Sequence, residues 1–80
     1  MLDIAQVREV AREVVCELVG HIVADNDALI SGGLIDSLSI LRMIAGLEKK
    51  LGTSIPTDSL QPEDFDNIDL IVETVQRVAE

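Results

Sequence analysis

The stretch Leu34-Ile35-Asp36-Ser37-Leu38-Ser39-Ile40-Leu41-Arg42-Met43-Ile44-Ala45-Gly46-Leu47-Glu48-Lys49-Lys50-Leu51-Gly52 decides how the chain folds. At about 100° per residue, Ile40, Met43, Ile44, Leu47 and Leu51 share one face of a helix. Asp36 has the chemistry of an N-cap, because its carboxylate can accept a backbone N–H of the first turn. Gly52 stands where a left-handed residue closes a helix. The pattern predicts a helix over 37–51. Ser37 falls in its first turn, beside the positive end of the helix dipole, where an anion attached to the hydroxyl would be stabilised. Leu38, Leu41 and Ala45 lie toward a flank of the apolar face, so that face is wider than one packing contact needs. Arg42, Gly46, Lys49 and Lys50 occupy the rest.

Toward the N-terminus, Ile4, Val7, Ala11, Val14, Val15, Leu18 and Ile22 recur at helical spacing and predict a helix from Asp3 to about Val23, with Asp3 as cap. Ala24 to Asp36 reads as a long, ordered connection. Asp25-Asn26-Asp27 is turn chemistry, and Leu29, Ile30, Leu34 and Ile35 are expected to pin the segment to the core. Toward the C-terminus, Ile55-Pro56 reads as extended. Either Thr57 to Leu60 or Pro62 to Phe65 makes a short helical turn, and Asp66 or Asn67 caps a last helix running to about Val78. The expected fold is all-α: a small four-helix bundle of three main helices and one short one, forming one domain over residues 1–80.

Composition narrows the function. Only Phe65 is aromatic, so the core must be aliphatic. A net charge of −9 disfavours nucleic acid and anionic membrane surfaces as partners. The single cysteine excludes an internal disulfide and fits a reducing compartment. No apolar run reaches membrane-spanning length and the first residues carry no signal-peptide pattern, so a cytoplasmic protein is expected, without membrane insertion. No cluster of histidine, cysteine and carboxylate suggests a metal site or a catalytic centre. His21 reads as a helix-end polar contact and Cys16 as an exposed free thiol.

The segment from Leu34 to Pro56 is similar throughout to the pattern of phosphopantetheine carrier proteins, the acyl, aminoacyl and peptidyl carriers. That pattern sets Asp before a serine and Leu or Met after it. An amphipathic helix follows, ending in Leu-Glu and a charged pair, then an apolar residue, Gly, a short gap and Ile-Pro. The flanking helices match in length and order, so the resemblance covers nearly the whole chain.

The resemblance implies a non-catalytic carrier. A phosphopantetheinyl transferase would attach 4'-phosphopantetheine to Ser37, and an acyl or aminoacyl group would ride on the arm as a thioester. Asp36 would cap the helix and help orient the transfer. Leu38, Leu41, Arg42 and Ala45, with Ile68 at the start of the last helix, are candidates for the partner interface; the alternative for Leu38 and Leu41 is burial under the long loop or against the last helix. The implied partners are the transferase, an acyl- or amino-acid-activating ligase and downstream acyl-accepting enzymes, met by a monomer.

The chain departs from fatty-acid carriers, which place acids directly after the serine motif. Ser39 and Arg42 stand there instead, and acids crowd the last third: Asp58, Glu63, Asp64, Asp66, Asp69 and Glu73. Pro62-Glu63-Asp64-Phe65-Asp66-Asn67-Ile68 resembles a segment of stand-alone carriers served by a dedicated ligase. Its structural alternative is that Phe65 plugs the core and Asn67 caps the last helix. A dedicated carrier is the reading; a housekeeping fatty-acid carrier and an unmodified helical adaptor are the alternatives.

Overall fold

The computed structural model describes residues 3–58 and 60–79. Among them are three α-helices, α1 (Ile4–Val19), α2 (Ser37–Leu51) and α3 (Ile68–Val78), and one 3-10 turn, Pro62–Phe65, with no strand. The expected short helix is that single turn. The competing segment, Thr57 to Leu60, includes Ser59, which lies outside the described residues; the Leu60 N–H donates to the Thr57 carbonyl at 3.2 Å.

Each helix starts where a side chain can replace a missing intrahelical partner. Asp3 accepts from the Ala5 N–H at 2.9 Å, Asp36 from Ser39 at 2.8 Å and Asn67 from Leu70 at 2.7 Å. α2 ends as expected: the Gly52 N–H donates to the Glu48 carbonyl.

α1 is shorter than its apolar period. It stops at Gly20, whose φ of +89° is left-handed and whose N–H donates to the Cys16 carbonyl. A side chain at such a φ is strained, so glycine ends the helix although the periodicity runs on. The long connection therefore begins four residues earlier than expected. Ile22 leaves the apolar stripe and is 87% exposed, while Val23 is buried from within the loop. Leu29 and Ile35 anchor the connection as expected, Ile30 is half-buried, and Leu34 is exposed instead. Cys16 is half-buried against the core, not on the open polar face.

The core is aliphatic around one ring. Val7, Val15, Leu29, Met43, Leu47, Ile68, Ile71 and Val75 are fully buried with Phe65 among them. α1 packs against both α2 and α3, whereas the 3-10 turn packs against α3 and α2; no close backbone approach joins α2 to α3 directly. α1 crosses α2 closely at Gly46, where an added Cβ would lie 3.3 Å from a Val14 methyl. Gly46 thus serves packing and not the polar face on which its spacing places it.

Charge pairs tie the helices together. Arg8 on α1 bridges Asp25 of the connection and Asp69 of α3, Arg12 also bonds Asp25, and Lys50 reaches Glu13 at 2.8 Å. The Asp69 carboxylate, chiefly, holds the Arg8 guanidinium above its ordinary value. The acids of the last third are correspondingly less crowded than the sequence suggests. Asp69 is paired, Asp64 caps the 3-10 turn by accepting from Gln61, and Asp66 is surrounded by donors.

Candidate functional site

Ser37 is the first residue of α2 and is exposed. Its position follows from Asp36, which adopts extended backbone (φ −92°, ψ 174°) and turns its carboxylate onto the first turn. The Ser39 N–H is the main cause that holds the Asp36 carboxyl below its ordinary value; the Ser39 hydroxyl, the Leu38 N–H and the charge of Arg42 act in the same direction. Asp36 is therefore a charged, committed cap. The Ser37 hydroxyl stands free at the positive end of a helix of fifteen residues.

The approach to Ser37 is fixed from a distance. Asp66, just before α3, accepts from the Ile30 N–H, the Ser31 N–H and the Ser31 hydroxyl, each at 2.8 Å. Its carbonyl accepts from the Leu29 N–H at 2.6 Å, and the Leu29 carbonyl in turn accepts from Leu34 and Ile35. Only Asp36 separates the last residue of this knot, Ile35, from Ser37. The sequence reading gave Asp66 only a capping role; no local pattern signals an acceptor for a segment 35 residues away.

Beside Ser37 runs a groove of about 290 Å³ between α2 and the connector residues Thr57, Leu60, Gln61, Pro62 and Phe65. Ile40, Ile44, Leu60, Pro62 and Phe65 make it apolar, and Thr57 and Gln61 add polar groups. The sequence reading missed it because the connector forms one wall.

Leu38, Leu41, Arg42 and Ala45 are all exposed, with Leu38 at 77% and Leu41 at 64%. Both leucines thus lie on the surface and not under the loop. Ile68 is different: it is fully buried and presents no surface to a partner. Phe65 plugs the core and Asn67 caps α3, as the structural alternative for that motif required. His21 is exposed and its Nδ1 donates to the Ile22 carbonyl at 3.1 Å. No group of three or more metal-ligating side chains occurs among the described residues.

The residues present suit a phosphopantetheine arm. An exposed primary hydroxyl can form the phosphodiester, the helix N-terminus favours the resulting negative charge, and an apolar groove adjoins it. The comparison with protein families agrees: the phosphopantetheine attachment site family matches residues 5–75. The chain belongs to that family of carrier proteins, whose members bear a covalently attached 4'-phosphopantetheine, work with transferases and acyl-handling enzymes, and are typically not catalysts themselves. No curated protein matches the chain. No helix among the described residues is long and apolar enough to cross a membrane.

Proposed function

We propose that Ser37 bears the arm and that the protein is a dedicated carrier, loaded by its own acyl- or amino-acid-activating ligase and discharged to downstream acyl-accepting enzymes. When bound, the arm supplies a thiol that holds the cargo as a thioester. The residues of the chain present it. Asp36 fixes the start of α2 and keeps Ser37 Oγ outward. The Asp66 knot holds the preceding loop against the core. Leu38, Leu41, Arg42 and Ala45 offer a contact surface next to the attachment point.

The observation that carries this reading is the exposed Ser37 hydroxyl at the capped N-terminus of α2, beside an apolar groove. The dedicated role is supported by the absence of acids on the exposed face of α2, where Arg42 and Lys49 stand instead. On this proposal residues 1–80 are one carrier domain acting as a monomer in the cytoplasm; the continuous core from Val7 to Val75 supports a single folding unit.

Incubation with coenzyme A and a broad-specificity phosphopantetheinyl transferase tests the attachment. Wild type should gain one phosphopantetheinyl mass, and Ser37→Ala should gain none while keeping its helical circular dichroism. A modified Ala variant would sink the assignment of Ser37, and an unmodifiable wild type would sink the carrier reading as well.

A further inference from the structure

Positions 38, 41, 42, 45 and 49 form one stripe along α2, each three or four residues from the next except the adjacent pair 41 and 42. All five side chains are exposed. Leu38 and Leu41 lie at the Ser37 end, Ala45 follows, and Arg42 and Lys49 stand about 10 Å apart along the axis.

This stripe is cationic on an acidic protein. Arg8, Arg12, Lys50 and Arg77 each meet a carboxylate within 4 Å, whereas Arg42 and Lys49 form no salt bridge among the described residues. The one acid in α2, Glu48, accepts from the Ile55 N–H at 2.8 Å. Asp36 is engaged by the Ser39 N–H. Two large apolar side chains and two unbridged cations therefore face outward together.

We propose that this stripe docks a partner protein whose contact surface is an apolar depression for Leu38 and Leu41 bordered by carboxylates facing Arg42 and Lys49. The inference rests on the reading of Ser37 as the arm-bearing residue and specifies the chemistry of the enzymes that approach it. A basic docking patch would set like charges opposite each other, which rejects a partner. The charge of Asp36 is felt at Arg42, yet Arg42 and Lys49 are the two cations without a salt bridge among the described residues, so the stripe keeps its positive character. A nucleic acid or an anionic bilayer is too extended to sense the stripe alone and meets the net −9 of the whole chain. A folded protein with localised carboxylates avoids that repulsion.

A charge-swap experiment tests this. The carriers are the holo wild type, Arg42→Glu with Lys49→Glu, and the neutral pair Arg42→Gln with Lys49→Gln, all converted to completion and checked by mass and circular dichroism. The probes are an acyl transferase given a basic carrier-docking patch and the same enzyme with that patch changed to glutamate. Wild type should be loaded on the order of tenfold faster by the acidic version. The glutamate variant should reverse the preference and the glutamine variant should abolish most of it. Should the glutamate variant fail to fold, the glutamine variant decides. Equal or faster loading of wild type by the basic enzyme, or a preference unmoved by the variants, overturns the docking proposal. A wild type that takes no arm overturns the reading beneath it before docking is measured.

Discussion

Ser31 and Asp66 are joined twice: the Ser31 N–H and the Ser31 hydroxyl each donate to the Asp66 carboxylate at 2.8 Å. With the Ile30 N–H as a third donor, a single carboxylate fastens the long connection to the start of α3. Charge-assisted bonds of this kind are stronger than neutral ones, and here they hold a segment that has no regular structure of its own.

That fastening should depend on pH. The Ser31 N–H, then the Ser31 hydroxyl and the Ile30 N–H, lower the Asp66 carboxyl below its ordinary value of 3.8. A carboxylate depressed in the folded state contributes stability above its unfolded value and loses it as pH falls through the folded one. Asp66→Asn should therefore be less stable than wild type at neutral pH, and the difference should shrink below about pH 4. Denaturant midpoints of both proteins across this range check it. A difference that stays constant into acid would mean that the charge of Asp66 contributes nothing.

Asp36 offers a separation of roles. Asparagine caps a helix about as well as aspartate, whereas alanine does not. Asp36→Asn should melt near wild type, and Asp36→Ala should melt roughly 4–8 °C lower, the usual shift for one lost cap in a small domain. If the charge of Asp36 also orients arm transfer, both variants should accept phosphopantetheine slowly. A slow Ala variant beside a normal Asn variant would leave Asp36 as a cap alone.

The crossing of α1 and α2 predicts a size limit at Gly46. Alanine there gains about 1 kcal/mol of helix propensity but meets the Val14 methyl at 3.3 Å. A methyl at the end of a side chain can yield by a few tenths of an ångström, so Gly46→Ala should be neutral to mildly stabilising. Gly46→Leu must push the helices apart and should cost about 1–3 kcal/mol. Chemical denaturation of the two variants checks the order, and a stable Leu variant would show that the crossing has room.

α2 was legible to the residue because both ends carry their own signals, Asp36 before it and Gly52 after it. The end of α1 was misplaced because hydrophobic period and glycine chemistry disagree there: Ile22 and Val23 continue the pattern, yet Gly20 has already turned the chain. The site was legible in part for the same reason. Ser37 and its cap sit within one turn of helix, and their relation is local. The groove, the Asp66 knot, the Arg8 bridge to Asp25 and Asp69 and the contact of Gly46 with Val14 all join residues far apart in the chain. Such pairings follow from how the helices cross, and a period of 3.6 residues holds no record of them.

Phe65 stands between two environments, buried in the aliphatic core on one side and lining the groove beside Ser37 on the other. The chain has no tryptophan or tyrosine. The protein is consequently almost dark in the near ultraviolet, and its concentration must be measured by other means. The same poverty makes it self-reporting in magnetic resonance. Once the amide protons are exchanged for deuterium, the ring protons of Phe65 share the aromatic region only with the imidazole of His21, so they can be followed without assigning the rest of the spectrum. A cargo that enters the groove will move the Phe65 signals while those of His21, on the exposed loop after α1, serve as the internal reference.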